Sequence, residues 1–128
     1  MLDFAELQPR KRPNWYLVAP PGLCRHATPH RAAPVFPFDR ASLITRVHTL
    51  LSREPQIAVL ESSADGGRMR LVQRTPIMRW PDYVDIAVLD AEGGSTLAIY
   101  SRSKFGYRDF GANRKRVEGW LAELEGRG

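Results

Sequence analysis

Hydrophobic positions near the C-terminus repeat with a helical period: Val117, Trp120, Leu121 and Leu124 fall at offsets 0, 3, 4 and 7. At about 100° per residue these four side chains form a single stripe, so the spacing predicts a helix, ended by Gly126 and Gly128. Leu43, Val47, Leu50 and Leu51 repeat in the same way at offsets 0, 4, 7 and 8. Asp39 is placed to cap that earlier helix and Pro55 to stop it. Between the two helices the period drops to 2. In DYVDIAVLD (82–90), Val84, Ile86 and Val88 alternate with Asp85 and Ala87. QIAVLES (56–62), RMRLVQR (68–74) and TLAIYSRS (96–103) have strand composition too, with turns at ADGG and AEGGS. NWYLVAP (14–20) adds a fifth strand ahead of the first helix.

The predicted order is therefore β-α-β-β-β-β-α in an α+β domain. Short turns between consecutive strands imply a largely antiparallel sheet of about five strands, with both helices on one face. Helix-grip and TATA-binding-protein-like folds share this order, an analogy of topology that carries no function. Residues 1–13 read as an N-terminal arm, and 14–128 as one domain. Five prolines between Pro20 and Pro37 argue against regular structure there. The segment 20–38 is expected to be an extended strap, packed down through Val35, Phe36 and Phe38.

Composition adds little until charge is mapped along the chain. Hydrophobic residues at 43% and charged residues at 26% suit a soluble globular domain. The formal net charge is +5, and residues 101–116 hold six Lys and Arg against one acid, so the remaining bases and acids balance. That local excess favours anionic partners: a small anionic ligand first, then anionic lipid, an acidic protein or nucleic acid. Cys24 is the only cysteine, which excludes an intramolecular disulfide. With no signal-peptide pattern and no membrane-length apolar run, a cytoplasmic protein is expected.

The segment SRSKFGYRDFGANRKR (101–116) carries the candidate chemistry. Strand alternation turns Ser101 and Ser103 toward the core with Leu97 and Ile99, and turns Tyr100, Arg102 and Lys104 the other way. Helical phase places Phe110 and Asn113 on the apolar face, Arg114 at its border and Lys115 in solvent. Asp109 can cap the helix, whose N-terminus offers free N–H donors. Ser101, Arg102, Ser103, Tyr107, Asp109, Asn113 and Arg114 thus form a candidate anion site. The competing reading is a structural corner, with Asp109 capping the helix and pairing with Arg114 or Arg102, and Tyr107 and Phe110 filling the space.

The same segment resembles the signature of domain of unknown function 1499, a bacterial and plastid family. Ser101, Arg102, Ser103, Gly106, Tyr107, Asp109, Gly111, Asn113, Arg114, Arg116 and Glu118 carry the resemblance, and PNWYLVAP and APVF extend it along the chain. It implies no established activity. Many members resemble anchored or exported proteins, whereas this chain shows no hydrophobic anchor.

Other chemistry has weaker signatures. Cys24, His26 and His30 lack a fourth ligand with zinc-site spacing. Ser101 and Ser103 lack a nearby base in sequence, and no nucleotide-binding fingerprint occurs. No catalytic residue, metal or cofactor is implied. Arg102, Lys104, Arg108, Lys115 and Arg116 with Phe105 and Tyr107 could engage nucleic acid. With Arg10, Lys11 and Arg12 they could equally engage an anionic membrane. The expectation is a noncatalytic ligand-binding domain, its site lying where the last strand meets the last helix. The alternative is an assembly protein docking through 101–116.

Overall fold

The computed structural model describes residues 1–126, which places Gly128 outside the described residues. The strands are β1 (Trp15–Ala19), β2 (Arg31–Ala32), β3 (Ile57–Ser62), β4 (Arg68–Arg74), β5 (Pro81–Ala91) and β6 (Gly94–Ser103). The helices are α1 (Arg40–Arg53) and α2 (Ala112–Leu124). The sheet order is β2-β1-β6-β5-β4-β3. All five expected strands are present, and each pairs antiparallel with its neighbours along β1-β6-β5-β4-β3.

The sixth strand corrects the sequence reading. Although proline-rich, the strap contributes β2, which runs parallel to β1 and makes the sheet mixed. No proline lies within Arg31–Ala32, so this short stretch keeps the N–H donors that pairing requires. With that strand added, the expected strand count and the helix-grip analogy are matched only coarsely.

Both helices pack on one face. Leu43, Val47, Leu50 and Leu51 from α1 meet Val117, Trp120 and Leu121 from α2 over Val18, Leu71, Val84, Ile86, Val88, Leu97 and Ile99. The Asp39 carboxylate accepts from the Ser42 N–H at 2.8 Å, the cap its position predicts. α1 ends at Glu54, whose extended backbone suits a residue before proline. α2 ends as expected, with Gly126 at φ 77°. The opposite face of the sheet is also covered. A 3-10 helix at Phe4–Glu6 buries Phe4 and Leu7 against Leu17, Ala98 and Tyr100. Among the described residues no helix is long and apolar enough to cross a membrane.

The strap is held to the β5–β6 turn by paired backbone bonds. Phe36 N–H donates to the Ser95 carbonyl at 2.7 Å, and Ser95 N–H returns a bond to the Phe36 carbonyl at 3.1 Å. Gly94 makes this approach possible: its φ is 152°, and a Cβ there would run into the Phe36 carbonyl oxygen. Gly94→Ala is therefore expected to cost about 1–3 kcal/mol in a denaturant melt. Gly119→Ala, in helix with open space around the new methyl, is expected to be neutral or stabilising by up to ~1 kcal/mol.

Candidate functional site

At the junction of β6 and α2 the sequence places polar residues where strand and helix both face the core. Ser101, Ser103 and Asn113 are buried there with Asn14, the residue just ahead of β1. The Asn113 amide is the hub. Its Nδ2 lies 3.0 Å from the Asn14 carbonyl, 3.0 Å from Ser103 Oγ and 2.6 Å from Asp109 Oδ2. Its Oδ1 accepts from Ser101 Oγ at 2.6 Å and Arg116 Nη1 at 2.9 Å. Arg116 completes the network: Nε donates to Gln73 Oε1 at 2.6 Å, Nη1 to Ser101 Oγ at 3.0 Å and Nη2 to Asp82 Oδ2 at 2.7 Å. Four of the five guanidinium N–H donors thus have partners. Among the described residues no buried side-chain nitrogen or oxygen lacks one.

Asp109 shapes the entry to α2. Its carboxylate accepts from the backbone N–H of Gly111 at 3.0 Å and of Asn113 at 3.2 Å, in addition to the Asn113 amide. It caps the helix as expected, from outside the N-cap position, which Gly111 occupies with φ 81°. Its partners are these donors, not Arg114 or Arg102.

Three placements differ from the sequence reading. Arg114 is exposed, and the arginine that turns toward the sheet is Arg116. The helical phase put Arg114 nearer the apolar stripe. However, the buried carboxylate of Asp82 lies on the other flank, within reach of Arg116. Phe110 is 95% exposed because α2 begins only at Ala112, and a φ of 52° swings Phe110 out of the helical phase. Tyr107 is likewise exposed, with the Arg108 guanidinium 5.6 Å from its ring. Arg102 points to the opposite face, as its strand parity predicts. There it bonds Asp85 Oδ2 at 2.6 Å and stacks over Tyr100. The structure thus joins Ser101, Ser103, Asp109 and Asn113 into one cluster and leaves Arg102, Tyr107 and Arg114 outside it.

Arg116, Asn14, Asp82 and Gln73 are the cluster members absent from the predicted site. Asp82 had a readable signal: it shares the parity of Val84, Ile86 and Val88, and a carboxylate at a core-facing position requires a partner. Of the six bases in 101–116, Arg102 and Arg116 are neutralised by the buried Asp85 and Asp82.

Beside this corner, along the flank of α2, lies a cleft of about 680 Å³. Trp120 and Asp82 are its buried lining residues, and Arg74, Pro76, Ala112, Lys115 and Gly119 are exposed within it. Its two acids are engaged, Asp82 by Arg116 and Glu54 by the Trp120 indole N–H at 2.9 Å. Arg74 donates to the Arg79 carbonyl, whereas no carboxylate or hydrogen-bond partner meets the Lys115 ammonium among the described residues. The cleft therefore offers an apolar wall and unpaired positive charge.

The other flank of α2 is closed. Glu118 accepts from Tyr16 Oη at 2.7 Å and from Arg31 Nη1 at 2.6 Å. Burial, and then the bond to Glu118, push the Tyr16 pKa up. His30 Nδ1 accepts from the Leu17 N–H at 3.0 Å, and partial burial followed by the Arg114 charge holds its pKa below the ordinary histidine value. His26 lies against Glu6, apart from His30. Among the described residues no three His, Cys, Asp or Glu side chains are grouped to hold a metal ion.

Comparison with curated proteins and with solved structures gives no match. The family model described as Protein of unknown function (DUF1499) matches residues 13–124, from the start of β1 through the end of α2. The chain belongs to that family.

Proposed function

We propose that the protein is a noncatalytic ligand-binding domain whose cleft, beside the junction of β6 and α2, takes a small anionic ligand with an apolar body. The observation that carries this reading is the pairing, in one cleft, of the Trp120 wall with the uncompensated Lys115 ammonium. An apolar body gains from leaving water against the exposed Pro55 and Pro76 and the accessible edge of the indole, while a phosphate or carboxylate gains a charge-assisted partner. Ser101, Ser103, Asp109 and Asn113 serve this site from behind, by fixing Arg116 and the start of α2. The serine hydroxyls bond Asn113 and Arg116, with no histidine or carboxylate as partner, which favours binding over nucleophilic catalysis. A single thiol fits a reducing, cytoplasmic setting.

Calorimetric titration with 2-naphthyl phosphate, 2-naphthol and inorganic phosphate tests this reading. Saturable binding of 2-naphthyl phosphate is expected, with each fragment at least about tenfold weaker. Lys115→Glu should weaken binding by roughly tenfold or more, since a charge-assisted bond contributes about 1.5–3 kcal/mol. Arg114→Glu, outside the cleft, should leave affinity unchanged. Wild-type affinity in Lys115→Glu would refute the assignment.

A further inference from the structure

The β4–β5 loop and the segment between β6 and α2 emerge at the same end of the sheet. Lys104 N–H donates to the Pro81 carbonyl at 3.2 Å, and the Trp80 and Phe105 rings meet edge to face at 6.2 Å. Together these two loops expose Ile77 (89%), Met78, Trp80, Phe105, Tyr107 and Phe110 (95%). Isolated exposed apolar residues are ordinary, but six on two adjoining loops require an explanation. Phe110 is held outward by the turn that Ala112 N–H closes on the Asp109 carbonyl at 3.0 Å, in a left-handed backbone that side-chain-bearing residues seldom occupy. Arg79, on the other loop, has the same backbone handedness at φ 59°.

Charge indicates what covers this face. Arg74, Arg79, Lys104 and Arg108 are exposed on or beside the loops. The loops' one acid, Asp109, already accepts three hydrogen bonds from the start of α2. We infer that this face docks on an anionic lipid bilayer, with Ile77, Met78 and Phe110 entering the interfacial layer and the surrounding Arg and Lys meeting lipid phosphates. Trp, Tyr and Phe beside cations are the side chains that settle at headgroup depth. Phospholipid carries the complementary charge over an area that four bases can engage at once. A second copy of the chain is disfavoured as occupant, because two cationic faces repel. Membrane docking stands apart from the cleft: of its side chains only Arg74 also lines the cleft, and docking survives if the cleft binds nothing.

Vesicle co-sedimentation tests it, with vesicles of phosphatidylcholine alone and of phosphatidylcholine mixed equally with phosphatidylglycerol. Binding to the mixed vesicles is expected, at least about tenfold tighter than to phosphatidylcholine. Ile77→Ser and Phe110→Ser should each reduce it by roughly tenfold, since each removes a large apolar side chain from the buried set. Both positions are exposed, so unchanged thermal unfolding will show that the variants fold. Trp80 emission should shift to the blue with mixed vesicles, a shift absent in Trp80→Phe. Three results would each overturn the inference. One is no binding to mixed vesicles. A second is binding that both serine variants retain in full. The third is concentration-dependent self-association abolished by Phe110→Ser, which would make the face a contact between copies of the chain.

Discussion

Arg116→Ala is expected to lower the unfolding free energy by about 3–5 kcal/mol, the range for removing one partner of a buried ion pair. Asp82 is only 3% exposed, and without the guanidinium its charge would have neither water nor a cation. Gln73, Ser101 and Asn113 would lose a donor in the same step. Arg114 and Lys115 do not share this role, because both are exposed and neither pairs with Asp82; alanine at either should change stability by less than ~0.5 kcal/mol. Pairing Arg116→Ala with Asp82→Ala sharpens the test. The double variant should lose less than the sum of the singles, since the uncompensated carboxylate is gone. Additive losses in urea melts would show that the pair is not coupled.

Asn113→Leu, nearly matched in size, is expected to cost about 3–5 kcal/mol. It removes both halves of the amide from a site with no exposure. The Ser101 hydroxyl loses its acceptor, the Ser103 hydroxyl its donor and Arg116 one of its acceptors, and each orphaned buried group costs roughly 1–3 kcal/mol. The amide also links β1, β6 and the cap of α2 through Asn14, Ser103 and Asp109. Its loss should therefore act locally as well as globally. The Ser103 and Gly111 amide hydrogens should exchange faster in Asn113→Leu than the lost global stability alone predicts. Uniform acceleration across the sheet would mean that the hub does not specifically hold this corner.

Most of the fold was legible because its signals are local. Stripes such as Leu43, Val47, Leu50 and Leu51 encode a helix face, and alternation through Val84, Ile86 and Val88 encodes a strand face. β2 was not legible, since a strand of two residues has no period and its pairing with β1 is a tertiary event. The covering of the second face was equally hidden: Leu2, Phe4 and Leu7 lie in a stretch of seven residues, MLDFAEL, too short to show a period.

The candidate site was legible in part for the same reason. Strand parity found Ser101 and Ser103, and helical phase found Asn113. Choosing between Arg114 and Arg116 depended on where a carboxylate stood on a strand some thirty residues earlier. Helix phase gives the angle of a Cβ, whereas an arginine side chain is long enough to follow its partner. Phe110 was misplaced because the phase was extended past the true start of α2. The cleft has members from the β3 approach, β4 and α2, which become neighbours only once the sheet is assembled.

The most direct measurement of where a ligand sits is amide chemical-shift mapping during titration with 2-naphthyl phosphate. Binding in the cleft predicts saturable shifts at Arg74, Thr75, Ala112, Lys115, Arg116 and Gly119 and at the Trp120 indole, with Leu17 and His30 on the opposite flank of α2 unmoved. Shifts centred on Leu17 and His30, or none at saturating ligand, would contradict it.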